Sequence, residues 1–433
     1  MTANGQSPVS YNYDTASRLT QVAQGSQVVG LGYDFLGRRT TLSYPNGTST
    51  NYTYDPASRL TRILHQGPTS IIEDLTYTYD AAGNRISFSR SGPQAALPAA
   101  VQAAYDAANQ QIQFNAATPN LAYDANGNLT SQTDASGTTF YTWDARNRLI
   151  GISGPSITAS SVYDALGRRV SKTINGEKTD YQYDGNDISA EILGGAVVAT
   201  YLRSLNIDQP FVRQSSSPEF YHADALGSTL ALSSTNGAVT AVYSYEPFGK
   251  TTVTGASPNP FQYTGRENDA TGLYYYRARY YSPTLHRFIS EDPIEFAGGD
   301  VNLYGYVGNN PTNFIDPEGL STLLGGRIGT NIRPGRLSPS QRYTQPEAQR
   351  MSPERGPAPP RPASQTDPKQ PVNQMRDRLP EAAEPPHEPL QPPCLTPGGC
   401  GGAGGIVPPS PLPGGGRKDP PYPIPDLVPD PWT

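Results

Sequence analysis

Tyr163-Asp164-Ala165-Leu166-Gly167-Arg168, YDALGR in one-letter code, is the stretch whose reading decides the fold. Asp stands at the first position of a type I turn and Gly at the fourth, where side-chain capping and access to positive φ favour each of them. The unit therefore reads as a hairpin. Its flanks agree: Ser49-Thr50-Asn51-Tyr52-Thr53-Tyr54 and Leu75-Thr76-Tyr77-Thr78-Tyr79 alternate Tyr with Thr or Ser, the period-2 pattern of strands.

The unit recurs. Working outward from it, Tyr-Asp or Trp-Asp returns at Tyr13, Tyr33, Tyr54, Tyr79, Tyr105, Tyr123, Trp143 and Tyr183, usually with Gly-Arg, Gly-Asn or Arg-Leu a few positions later. A fixed period signals a repeat architecture. An isolated hairpin is marginal in water, so the units must pair into one curling antiparallel sheet. Roughly fifteen hairpins, counted from the repeat period, are too few to close a shell. The expected fold class is thus all-β, a partial open shell followed by a disordered Pro/Gly-rich tail. Pro93 to Gln111, rich in Ala, is expected to interrupt the sheet as a short helix or a long loop.

Composition divides the chain at Leu320. Of its 44 prolines 27 follow that residue, whereas 26 of the 28 tyrosines precede it, so only the first part can bury an aromatic core. The expected divisions are repeats over 1–220, a tighter core over 221–320 and a variable tail over 321–433. A net charge of −6 with no basic stripe argues against nucleic acid as a partner of the body. Cys394 and Cys400 are the sole cysteines and both lie in the tail, where they would close a loop in an oxidising compartment; no disulfide framework or zinc cluster supports the fold, and no cofactor or metal is expected. No apolar run spans a bilayer, and the N-terminus shows no signal peptide. The chain is read as the C-terminal part of a larger secreted or surface protein, the alternative being a short cytosolic one.

The body ends in RYYSPTLHRFISEDPIEFAGGDVNLYGYVGNNPTNFIDPEGL, Arg279 to Leu320, which holds two Asp-Pro pairs, Asp292-Pro293 and Asp316-Pro317. Pro biases each preceding Asp toward extended backbone. Two carboxylates brought together split their titrations, leaving one ionised to activate water and one protonated to donate to a carbonyl. Arg279, on a strand-like run from Tyr274 to Tyr281, could fork onto a carboxylate or polarise a carbonyl, with Arg277 and Arg287 as rivals. Asp-Pro is equally an ordinary turn starter. His222 and Asp224 have no third ligand at usable spacing, and His222 is expected to cap a turn.

From Tyr221 onward strongly, and along the repeats weakly, the sequence resembles bacterial RHS (YD-repeat) proteins, related to the C subunits of insecticidal Tc toxins and the YD shell of teneurins. The resemblance implies an intramolecular aspartyl autoprotease with Arg279, Asp292 and Asp316 as its catalytic residues. The cut would follow the Asp316-Pro317-Glu318-Gly319-Leu320 box, between Leu320 and Ser321, with Gly319 allowing a tight turn. That box matches without departure, whereas around the first aspartate, Asp292, Glu295-Phe296 stands where the family often has Gly-Leu. The implied partners are the chain's own C-terminal tail as cargo and a missing N-terminal shell segment. The competing reading is a surface adhesion protein whose Tyr-rich sheet binds glycans or a cell-surface target. No nuclease, transferase or deaminase constellation marks the tail, where His387 is the single histidine.

Overall fold

The computed structural model describes residues 7–95 and 97–325. The expected tail, with Cys394 and Cys400, lies outside the described residues, apart from Ser321–Gly325. Almost every strand is antiparallel to its sequence neighbour. An eight-stranded sheet runs from Val9–Tyr13 to Arg85–Arg90, and a fourteen-stranded sheet from Leu121–Tyr123 to Thr251–Gly255, each in strict chain order. Neither sheet closes on itself.

Each repeat turn is held as its residue types dictate, with one addition. In YDALGR the Asp164 carbonyl accepts from the Gly167 amide (3.1 Å), and Gly167 takes φ +84°. One Asp164 carboxylate oxygen accepts from the amides of Leu166 and Arg168, both at 2.9 Å, and the other from Arg168 Nε at 2.8 Å. The same guanidinium then lies 5.1 Å above the ring of Tyr183, the tyrosine of the next unit. The hydroxyl of Tyr163 in turn donates to the Leu149 carbonyl of the unit before (2.7 Å). The arrangement repeats at Asp34, Arg38 and Tyr54. The arginine thus fastens its own turn and stacks on the next, so neighbouring units are joined by more than the strand ladder.

The sheet is not continuous. Residues 97–102 form no regular element, and Ala103–Tyr105 pairs with Gln111–Phe114 in a separate two-stranded sheet. The expected interruption is therefore a loop followed by a hairpin, with no helix among its described residues. The break lets the first sheet fold onto the second. Leu19, Val22, Leu42, Ile63 and Leu75 of the first pack with Leu202, Phe211, Val212, Phe220 and Leu230 of the second in one core. Tyr44 OH donates across the join to the Tyr221 carbonyl (2.9 Å), and Asn46 Nδ2 donates to Ser233 Oγ (3.0 Å). His222 sits here too, fully buried in the strand Glu219–Ala223 with its ring 5.2 Å from that of His65, so it belongs to the join and does not cap a turn. Asp224 does hold the following turn, accepting from the amides of Leu226 and Ser228. The strand Glu219–Ala223 also crosses residue 220 without a break in the ladder, so the change in sequence texture there is not a change in the sheet.

A four-stranded sheet, Glu267–Asn268, Tyr274–Tyr276, Arg279–Ser282 and Arg287–Phe288, packs against the fourteen-stranded one. Period-2 alternation explains its double burial. Tyr275 and Tyr280 face a cluster with Leu121, Leu129, Leu149 and Ile152, whereas Tyr274, Tyr276 and Tyr281 face Tyr263, Phe288 and Tyr306. The run from Tyr274 to Tyr281 is not the single strand expected from its composition. It folds back at Arg277-Ala278, where Arg277 takes φ +56°. Last, Phe314–Ile315 pairs with Leu323–Leu324.

Candidate functional site

The site forms where the four-stranded sheet meets the two Asp-Pro segments. Arg279 is 4 % exposed and stands over the face of Phe288 at 3.8 Å, which aims its guanidinium into the loops beyond the strand. Its Nη2 is 2.9 Å from Asp292 Oδ2 and 3.5 Å from Asp316 Oδ2, so both carboxylates share one cationic nitrogen. The fork is completed by Nη1 donating to the Leu303 carbonyl (2.9 Å) and Nε donating to the Gly319 carbonyl (2.5 Å). The two aspartates are 7 % and 3 % exposed.

Each aspartate is fixed by its local chain. Asp292 Oδ1 caps the Ile294 amide (3.0 Å), the Asx-type bond expected of Asp before a turn. Asp316 Oδ1 accepts from two amides four and five residues ahead, Leu320 N (3.0 Å) and Ser321 N (3.1 Å). The nitrogen of the Leu320–Ser321 peptide bond therefore rests on Asp316. The oxygen of that bond and the other aspartate border the same small space: a methyl group on Gly298 would stand 2.7 Å from Asp292 Oδ2 and 2.9 Å from the Leu320 oxygen. A cavity of about 20 Å³ lined by Arg279, Asp292, Gly298, Asp316, Leu320 and Ser321 has room for one water.

Gly319 has φ +68°, and a Cβ there would be driven into the Tyr276 carbonyl oxygen and lie 3.2 Å from Arg279 N. Only glycine fits a left-handed backbone at such close approach.

Burial dominates the electrostatics. It raises the Asp316 carboxyl to about 6, against the opposing pull of the Arg279 charge and the Ser321 and Leu320 amides. It also raises Asp292, which Arg279 partly counteracts. Burial thus favours the protonated form of both carboxyls, and the one cation they share opposes it.

All six residues singled out in the sequence, Arg279, Asp292, Asp316, Gly319, Leu320 and Ser321, converge here. The rival arginines do not contact either aspartate. Arg277 pairs with Asp187 and Asp208, and Arg287 reaches Asn302 and stacks on Tyr304. Arg279 contacts the carbonyl one residue before the expected scissile one, so it orders the chain entering the bond. Glu295, Asp300, Leu303 and Val307 also line the cavity and were not anticipated. One signal was available for Glu295, the departure from Gly: it takes φ +52°, a backbone suited to glycine.

Comparison with known proteins agrees with this architecture. A family profile described as teneurin YD-shell matches residues 41–312. The tRNA nuclease WapA of Bacillus subtilis (strain 168) is 33 % identical over 261 residues, covering 57 % of this chain and 11 % of WapA. Toxin protein Tse5 of Pseudomonas aeruginosa is 28 % identical over 315 residues, covering 57 % of this chain and 24 % of Tse5. Toxin subunit YenC2 of Yersinia entomophaga is 42 % identical over 94 residues, 20 % of this chain and 10 % of that subunit. The chain spans only about a tenth of the length of the first curated relatives it matches. In fold it is similar to the TcdB2-TccC3-Cdc42 crystal structure, with a TM-score of 0.54 at 21 % identity, covering 72 % of this chain and 20 % of that one. Matched over more than half its length, with repeat turns, four-stranded tyrosine sheet and closing box in place, the chain belongs to the teneurin YD-shell family of RHS/YD-repeat proteins.

Proposed function

We propose that this chain is the C-terminal part of an RHS polymorphic-toxin-type protein that cuts itself once, between Leu320 and Ser321, to free the segment that follows. The observation that carries the reading is the pairing of Asp292 and Asp316 on one Arg279 nitrogen, with the Ser321 amide on Asp316 and a water-sized cavity beside them. Ionised Asp316 takes a proton from that water as its oxygen attacks the Leu320 carbonyl carbon, while protonated Asp292 donates to the carbonyl oxygen. Collapse of the tetrahedral intermediate breaks the C–N bond, the Ser321 nitrogen takes the proton from Asp316, and the carbonyl oxygen returns its proton to Asp292. One water is consumed, giving a carboxyl on Leu320 and an amine on Ser321. The enzyme turns over once because its substrate is itself.

The released segment is the cargo, destined for secretion with the shell to a target cell. Enclosing it requires further strands. The cavity left between the two sheets has about 390 Å³, whereas a compact chain of ~100 residues has a radius of gyration near 13 Å and occupies on the order of 10⁴ Å³. The remainder of the shell would come from an N-terminal segment or partner. Among the described residues no helix is long and apolar enough to cross a membrane.

Mass spectrometry of the purified full chain tests the cut. A fragment beginning at Ser321, absent from Asp292→Asn, is expected. Intact chain at neutral pH refutes autoproteolysis and favours the adhesion reading. A fragment beginning at Pro317 after acid treatment reports only Asp-Pro lability.

A further inference from the structure

The turn Arg277-Ala278 does more than connect two strands. Three consecutive donors on it meet three consecutive carbonyls of the closing box: Arg277 Nη1 donates to Pro317 O, the Ala278 amide to Glu318 O (3.1 Å) and Arg279 Nε to Gly319 O (2.5 Å). Two of these act through groups the cutting reading already uses or through plain backbone. Arg277 is different, because its side chain is itself built into a rigid mount. Nη2 lies 3.0 Å from Asp187 Oδ1 and 2.7 Å from Asp208 Oδ1, and Nη1 lies 3.0 Å from Asp208 Oδ2. Asp208 is 7 % exposed, and its Oδ1 is also held by Arg266 Nη1 at 2.5 Å. Nε adds contacts to the Asn186 carbonyl (3.3 Å) and, more loosely, to Glu318 (3.9 Å).

The backbone gives a second, independent indication. Arg277 holds φ +56° at the first position of a two-residue hairpin turn, where glycine is the residue local preference selects. A long cation is kept in a glycine conformation, and its contacts are what that placement provides.

We propose that Arg277 is the positioning residue of the cut: anchored by Asp187 and Asp208, it holds the Pro317 carbonyl so that Leu320–Ser321 lies between the two catalytic aspartates. It touches neither the scissile bond nor the dyad. The inference rests on the self-cleavage reading, yet the holding role can be measured in chain that cannot cut.

In an Asp292→Asn background, amide hydrogen exchange is followed at Gly319–Ser321 and, as a reporter of the sheet, at Thr229–Ser233. Arg277→Met is expected to accelerate exchange at Gly319–Ser321 at least about tenfold, with the reporter unchanged, and Arg277→Lys, which keeps the charge, to restore most of the protection. In chain with Asp292 intact, a time course in cell-free translation should show Arg277→Met slowing the cut by about 100-fold, the scale of a ~1 Å misplacement, and Lys recovering part of it. Unchanged loop exchange in Arg277→Met overturns the proposal. So does acceleration of the reporter to the same extent in both variants, which would mean Arg277 merely supports the fold. If unsubstituted chain is never cut, the self-cleavage reading fails, and the exchange measurement still decides whether Arg277 holds the loop.

Discussion

Replacing Gly319 by alanine sets the geometry against the chemistry at a single atom. The residue has φ +68°, and an added Cβ would collide with the Tyr276 carbonyl oxygen while standing 3.2 Å from Arg279 N and 3.3 Å from Tyr276 Cβ. The left-handed backbone alone costs alanine about 1–2 kcal/mol. Overpacking against main chain adds roughly 1–3 kcal/mol, since the obstructing atom is in a strand and cannot swing aside. The box is the softer partner, so it moves. A displacement of ~1 Å at Gly319 passes to Leu320 and Ser321 and is worth about 100-fold in rate. The sheets do not depend on this loop, so the melting transition should stay within a few degrees, ~1 kcal/mol corresponding to about 2–4 °C for a domain above 150 residues. The assay is the fraction of chain cut over time on a denaturing gel, with Lys178→Ala, at a side chain 60 % exposed and away from the box, as the control that leaves the rate near normal. If Gly319→Ala cuts at the unsubstituted rate and at the same bond, the close approach to Tyr276 does not hold the box and the proposed geometry is wrong.

Acting as the base, Asp316 must be ionised, and its carboxyl is raised to about 6 by burial. Asp292 must keep its proton to act as the acid, so the cutting rate should be bell-shaped in pH, falling on the acid side as Asp316 takes up its proton and on the alkaline side as Asp292 loses its own; a rate that keeps rising toward pH 4 refutes the assignment of the base. The same shift has a stability sign. A carboxyl raised from its ordinary 3.8 binds its proton more tightly when folded, so its stabilising contribution is complete below about pH 4 and is lost as pH rises through about 6, which melting of uncut Asp292→Asn chain would register. Arg168→Ala removes both the Asp164 fork and the stack on Tyr183, and with a side chain 31 % exposed it should cost about 1 kcal/mol in denaturant unfolding, Lys recovering less than half. Glu295→Gly relieves a left-handed non-glycine residue at φ +52° and should stabilise by up to about 1 kcal/mol in the same measurement, with the cut retained.

The repeats were legible because their information is local. Asp at the first turn position, Gly at the fourth and Tyr alternation along the flanks are choices made within a few residues, and the turns at Asp164 and Asp34 follow them. What escaped is the role of the arginine, since the ring of Tyr183 is the neighbour of Arg168 only once the strands have paired. The site was legible in part by resemblance. No local pattern brings Asp292 to Asp316, and their meeting depends on Arg279 standing on a buried strand over Phe288. The misreading of Tyr274–Tyr281 as one strand has the same origin: an arginine at a position of positive φ hides a turn that glycine would have announced. Likewise an interruption was expected over Pro93 to Gln111, but not that it would let one sheet fold onto the other.

The short ladder between Phe314–Ile315 and Leu323–Leu324 straddles the Leu320–Ser321 bond, and the Gly325 amide extends it by donating to the Asn313 carbonyl at 2.7 Å. A polypeptide severed at that bond stays clasped across the gap, so hydrolysis and departure become two separate events. Before scission the clasp closes a short loop; afterwards its strength depends on how crowded the two ends are kept. Inside an enclosing wall the freed end would re-dock as often as it slipped, whereas in dilute solution the same few bonds would let it drift away.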